Sequence, residues 1–137
     1  MAITPTQGAS TLRTRQEIEA PRLLKSRQEI PLVRMAATFS TILTARADAY
    51  FEIEGLWVVN VTNAAHTYSV CLVASGGTAT IANALVWEAS IPANTVDYAV
   101  GAAGMLVPPG YTLQVDADAA DVINVYGWGW NVVGDSQ

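Results

Sequence analysis

Cysteine, histidine and lysine are nearly absent from this sequence: Cys71, His66 and Lys25 stand alone of their kind among 137 residues. One cysteine makes no internal disulfide, so stability rests on packing or on assembly, and a reducing birthplace is expected. His66 and Cys71 are formally a Cys–His nucleophile pair, but His66 falls in a turn-like Asn63–His66 segment and Cys71 in mid-strand. They read as a turn histidine and a packing thiol. No apolar run approaches the ~18 uninterrupted positions of a membrane helix. The opening MAITPTQGAS has no basic stretch followed by an apolar one, so no secretory signal is read.

Positive charge is scarce and unevenly placed. Residues 1–34 hold six of the seven Lys/Arg against three acids, whereas residues 35–137 hold Arg46 against nine acids. The net charge is −5. An acidic body argues against nucleic acid as a partner, and a basic segment on an acidic body points to pairing between copies or to a solvated leader.

What is present is apolar sequence cut into short pieces. At 51% hydrophobic, the chain has enough for one domain with a sizeable core. Residues 1–34 read as an extended basic arm, with Pro at 5, 21 and 31. Arg15-Gln16-Glu17-Ile18 recurs as Arg27-Gln28-Glu29-Ile30, each behind a capping-box pattern, Thr14-x-x-Glu17 and Ser26-x-x-Glu29. Pro21 and Pro31 limit each helix to about two turns, too short to stand alone. The arm is therefore expected to order against a partner, with Arg15, Ile18, Arg27, Ile30 and Leu32 as contacts.

From residue 35 to 137 the period is two. Phe51, Ile53, Trp57, Val59 and Val61 share one expected face, and Leu85, Trp87, Ala89 and Ile91 another. Tyr68, Val70 and Leu72 alternate with Thr67, Ser69 and Cys71, and Tyr111, Leu113 and Val115 with Thr112, Gln114 and Asp116. Seven or eight short strands between turn signals predict an all-β fold, an antiparallel β-sandwich of jelly-roll type.

Candidate chemistry is thin. Gly76-Gly77 follows a strand as a phosphate loop would. No Lys follows residue 25, however, and only a single helical turn fits Thr78–Ala84. Asp116, Asp118 and Asp121 lack the glycine and distal Glu of a calcium loop and read as a polar turn. Asn60-Val61-Thr62 matches a glycosylation sequon but falls inside a strand. No enzyme activity, cofactor or metal is expected. The strongest local feature is Tyr126-Gly127-Trp128-Gly129-Trp130, an aromatic stripe with three open readings: core, subunit interface or sugar platform.

The rhythm of LWVVNVTNAAHTYSVCLVASGGTATIANALVWEASIPANTV, followed by MLVPPGYTLQVDADAADVINVYGWGW, resembles small structural proteins of tailed-phage virions. The match covers about residues 56–130 and leaves the arm outside. The GWGW ending has no counterpart in that pattern. The resemblance implies a virion protein without catalytic residues: a capsid decoration or cement protein bound outside the head. Its partners would be the major capsid protein or other virion proteins, without nucleic acid or membrane. A homo-oligomer is implied, with a trimer favoured, assembled in the host bacterial cytoplasm. A collar, tail or fibre-base protein of the same fold is the alternative. A carbohydrate-binding module using Tyr126, Trp128 and Trp130 is a third reading.

Overall fold

A computed structural model describes residues 22–99 and 102–135. Nine strands form two antiparallel sheets. They are β1 (Arg22–Arg34), β2 (Ser40–Thr44), β3 (Tyr50–Asn60), β4 (His66–Val73), β5 (Ala84–Ile91), β6 (Val96–Tyr98), β7 (Leu106–Val107), β8 (Thr112–Ala117) and β9 (Ile123–Asp135). One sheet runs β1-β9-β3-β6, with β7 also on β3; the other runs β2-β8-β4-β5. Apart from the short β7, successive strands change sheet except at β4–β5, which pair directly. The fold is a jelly roll. The two sheets are called here the β9 sheet and the β8 sheet, after a central strand of each.

The inner faces follow the expected alternation on β4 and β8. Tyr68, Val70 and Leu72 meet Ala117, Val115 and Leu113 across the ladder, and all belong to or pack against one core with Phe51, Ile53, Leu56, Val58, Ile123 and Val125. Burying side chains of this size stabilises by about 1.5–3 kcal/mol each.

Three expectations are corrected, each by an irregular strand. First, the sandwich begins at residue 22 rather than 35. Arg22–Arg34 is not an arm but β1, paired along β9 from Arg22↔Asp135 to Arg34↔Asn124. The helix expected after Ser26 is absent, because β9 offers a full ladder of backbone partners. Pro31 shows itself instead as a register shift between Ile30 and Val33. The first capping box and residues Arg15 and Ile18 lie outside the described residues. Second, the register slips between Ile53 and Gly55 against β9. Past that bulge the parity inverts, so Leu56 and Val58 are buried while Trp57 and Val59 turn outward. Third, β5 carries a bulge where Glu88 adopts φ 47°. Trp87 is thereby placed outside, 38% exposed and stacked on Phe39 at 6.1 Å.

Polar ties hold the two layers in register. The Asn60 amide, at the end of β3, donates to the carbonyls of Ala64 (2.8 Å) and Ile91 (3.1 Å). Its oxygen accepts from the Thr62 N–H (2.9 Å) and hydroxyl (2.8 Å). The sequon asparagine is thus a buried cross-sheet clasp. Tyr68 donates to Asp97 Oδ2 at 3.1 Å, from the β8 sheet to β6 of the other. Burial first, and the neighbouring Asp97 carboxylate second, push the phenol well above its usual range.

Gly127 and Gly129 face inward. A Cβ on Gly129 would lie 2.7 Å from the Phe51 ring and against the Glu52 carbonyl; one on Gly127 would lie 3.1 Å from the Leu56 Cα. Gly129→Ala is therefore expected to lower unfolding free energy by about 1–3 kcal/mol. Urea denaturation with an unchanged m-value measures this. An unchanged midpoint would refute the close packing of Phe51 beneath β9.

Candidate interaction surface

The segment from Gly76-Gly77 to Asn83 is a connection between paired strands. Gly76 takes φ 77°, and the Gly77 N–H closes a turn on the Ala74 carbonyl at 2.8 Å. A single 3-10 turn, Ile81–Asn83, follows, capped reciprocally by Thr80 and Asn83. The chain then returns antiparallel into β5. In this connection no long helix follows to present an N-terminus to a phosphate. The Cys71 thiol donates to the Thr80 carbonyl at 3.5 Å. Burial first, and Asp116 second, push that thiol above its usual range, so Cys71 is a poor nucleophile.

The outer face of the β8 sheet is acidic. A cavity of about 260 Å³ is lined by Thr67, Ser69, Trp87, Glu88, Asp116 and Asp118, with Ala37 and Ala117. Ser69 accepts the Glu88 N–H at 2.8 Å. His66 Nδ1 meets Asp118 Oδ1 at 2.9 Å. His66 is held by Asp118 and the Cys71 thiol by the Thr80 carbonyl, and no hydrogen bond joins either Cys71 or Ser69 to His66 among the described residues. Among the described residues, no group of three His, Cys, Asp or Glu is arranged to hold a metal ion.

The outer face of the β9 sheet is aromatic. Directly paired residues of neighbouring strands share a face. The ladder therefore sets Tyr98, Trp57 and Tyr126 in one row. The next residue outward on β9 is Trp128, beside Glu29; beyond it Trp130 sits between Arg27 and Glu52. Trp57 stacks on Tyr126 with centroids 5.7 Å apart and tilts against Tyr98 at 5.2 Å. Trp128 and Trp130 meet edge to face at 5.7 Å. The Arg27 guanidinium lies 4.2 Å over the Trp128 ring. Trp130 Nε1 donates to Glu54 Oε1 at 3.1 Å, and the Tyr98 hydroxyl to the Glu54 carbonyl at 3.0 Å.

The stripe is therefore not core. Gly127 and Gly129 occupy the opposite, inner side, which Leu56 and Phe51 fill. Tyr126, Trp128 and Trp130 share the outer surface with Trp57 and Tyr98, which the alternation alone did not select. Their signal was Gly55, a glycine inside an aromatic strand. Of the residues expected to bind a partner, Arg27 belongs to this face and Leu32 is 61% exposed beside the β1 bulge. Ile30 is a correction: it is buried in the core opposite Gly127.

No protein-family model matches the chain, and no curated protein matches it. Solved structures do. A chain from Bacillus endospore appendages, which form disulfide-linked pili, aligns at TM-score 0.52 and 10% identity, over 83% of this chain and 90% of that one. A chain of the T13 particle of infectious bursal disease virus aligns at 0.45 and 10%, over 82% of this chain. The present chain spans 30% of that viral protein. A turnip yellow mosaic virus chain aligns at 0.35 and 12%, over 86% of this chain and 98% of the other. At 10% identity, the likeness to the appendage chain is a likeness of fold.

The acidic face yields a pH prediction. Burial first, and the Glu88 carboxylate second, raise the Asp116 carboxyl above its usual range, against a hydrogen bond from Ser69 that lowers it. A carboxyl raised on folding costs stability where it is ionised and returns it as pH falls through the raised value toward the unfolded one. Asp116→Asn is expected to raise the neutral-pH melting temperature, with the gain shrinking toward about pH 4. A variant that melts lower at neutral pH, or a pH-independent gain, would contradict this.

Proposed function

We propose that the protein is a non-catalytic structural subunit of a virion, a decoration or cement protein on the exterior of a tailed-phage head. It acts as a homo-oligomer on the major capsid protein. The observation that carries this reading is the outer face of the β9 sheet: six aromatic side chains, Tyr50, Trp57, Tyr98, Tyr126, Trp128 and Trp130, stand partly exposed on it, two of them tied by hydrogen bonds to Glu54. Such a face suits association. The resemblance of residues 56–130 to virion proteins agrees with it, as does the jelly roll shared with a chain that assembles into pili. The linkage differs from that of the appendages, since the only cysteine here is buried.

In this reading the segment ahead of β1, with Arg15 and Ile18, reaches over capsid or neighbouring subunits, and Leu32 and Arg27 add contacts from β1. The same surface suits a collar, tail or fibre-base protein. Exposed Tyr126 beside the Trp128–Trp130 pair also keeps a sugar platform in view. Tryptophan emission unmoved by a glycan panel disposes of that third reading.

Quantitative mass spectrometry of purified virions, normalised to the major capsid protein, tests the proposal. A copy number comparable to the capsid protein is expected. A ring-sized number moves the protein to the neck or tail, and absence from the particle refutes the virion reading. Deleting residues 1–21, which spares β1, is expected to lower occupancy on the particle. Unchanged occupancy would refute the role of the arm.

A further inference from the structure

The charges of this chain are not spread over its surface. Three cations stand on the outer face of the β9 sheet, Lys25, Arg27 and Arg34, by their pairing with Val132, Trp130 and Asn124. Three carboxylates join them, Glu29, Glu52 and Glu54. Lys25 meets Glu52 at 3.1 Å and Arg27 meets Glu29 at 2.9 Å. The face is thus neutral. Residues 1–21 balance Arg13 and Arg15 against Glu17 and Glu19, and Arg22 balances Asp135. The remaining carboxylates, Asp48, Glu88, Asp97, Asp116, Asp118 and Asp121, have only Arg46 against them. The net −5 of the chain therefore lies away from the aromatic face. Two copies repel one another at the acidic β8 face and do not at this one.

The neutral face is also polar in its layout. On β1 the cations outnumber the acid, on β3 stand the two carboxylates, and the aromatic stripe of β9 runs between them. Arg27, Trp130 and Glu52 sit at one level across the three strands. If a second copy is laid on this face about a two-fold axis parallel to β9, its β3 falls over the first β1. Arg27 of each copy then faces Glu52 of the other, and stripe meets stripe on the axis. An axis across the strands sets β1 over β1 and cation over cation. Strands within a sheet lie about 4.8 Å apart and rise about 3.3 Å per residue, so the 40 residues of β1, β9, β3 and β6 offer roughly 630 Å² of face. That is of the order of the about 800 Å² of accessible surface per partner that a stable contact buries.

We propose that the outer face of the β9 sheet is an isologous contact between two copies of this chain, with the two-fold axis along β9. This rests on the homo-oligomer part of the reading above, and it replaces the trimer expected from the resemblance with a pairwise contact.

Sedimentation velocity on the full chain over the micromolar range, with melting curves to confirm folding, tests it. The native protein is expected to be a dimer. Arg27→Glu and Glu52→Arg, both at exposed or half-exposed positions, each set like charges face to face twice and are expected to raise the dissociation constant at least about tenfold. An equimolar mixture of the two variants is expected to dimerise again, because the mixed pair restores both contacts. A native monomer overturns the proposal, and so do variants that dimerise as the native chain does. A mixture that stays monomeric overturns the axis. A native dimer missing from virions would leave this contact standing and remove the virion reading. A monomer found at shell copy number would do the reverse.

Discussion

The backbone of β9 approaches the β3 side chains more closely than any residue with a Cβ would allow. Phe51 lies beneath Gly129 and Leu56 beneath Gly127, and both large side chains are fully buried as a result. Much of the molecule depends on that approach. Because every second residue of the central stretch of β9 is glycine facing inward, the intervening residues, Tyr126, Trp128 and Trp130, all face outward. In β3, beside β9 in the same sheet, the bulge at Gly55 lies under the Trp57 ring and turns Trp57 out to stack on Tyr126. Such a stack contributes about 0.5–1.5 kcal/mol beyond burial. One steric constraint thus makes both the thickest part of the core and the aromatic surface above it.

The two outer faces of the sandwich then differ in kind. Above the β8 sheet, Glu88, Asp116 and Asp118 line a small cavity, and burial first, with the Glu88 carboxylate second, raises the Asp116 carboxyl above its usual range. Above the β9 sheet, cations and carboxylates are matched and neighbours are aromatic. A sheet face that is neutral, flat and half-apolar is costly to leave in water and easy to cover, while a strongly acidic one stays solvated. In the proposed reading this division gives assembly to one side of the molecule and leaves the other solvated. The ties through Asn60 and Tyr68 keep the two sides in fixed relation.

Much of the fold was legible in the sequence. Alternation located most of the strands, and the absence of Lys after residue 25, with room for only a single helical turn after Gly76-Gly77, excluded a phosphate loop. Illegible were the points where alternation slips by one. Gly55, the Trp87–Glu88 pair and Pro31 each break a ladder, and after each break a period-two pattern assigns the wrong face. The period-two pattern groups Trp57 with Phe51 and Ile53, and Trp87 with Ile91, yet both tryptophans turn outward. The same limit governs the stripe: alternation says that Tyr126, Trp128 and Trp130 share a face but not which one. Only the fit of Phe51 beneath Gly129 decides it. In β1, the capping-box pattern Ser26-x-x-Glu29 and Pro31 outweighed a weak alternation, although a neighbouring strand can override local helix preference by supplying every backbone partner.

The central claim is that the outer face of the β9 sheet is covered in the working state of the protein. Hydroxyl-radical footprinting, read residue by residue by mass spectrometry on dilute and concentrated protein, addresses it directly. Trp87 on the opposite face provides an internal reference at 38% exposure, nearly equal to the 37% of Tyr126. The account predicts that labelling of Tyr126, Trp128 and Trp130 falls with concentration while that of Trp87 stays constant. Equal labelling of both faces at all concentrations would contradict it.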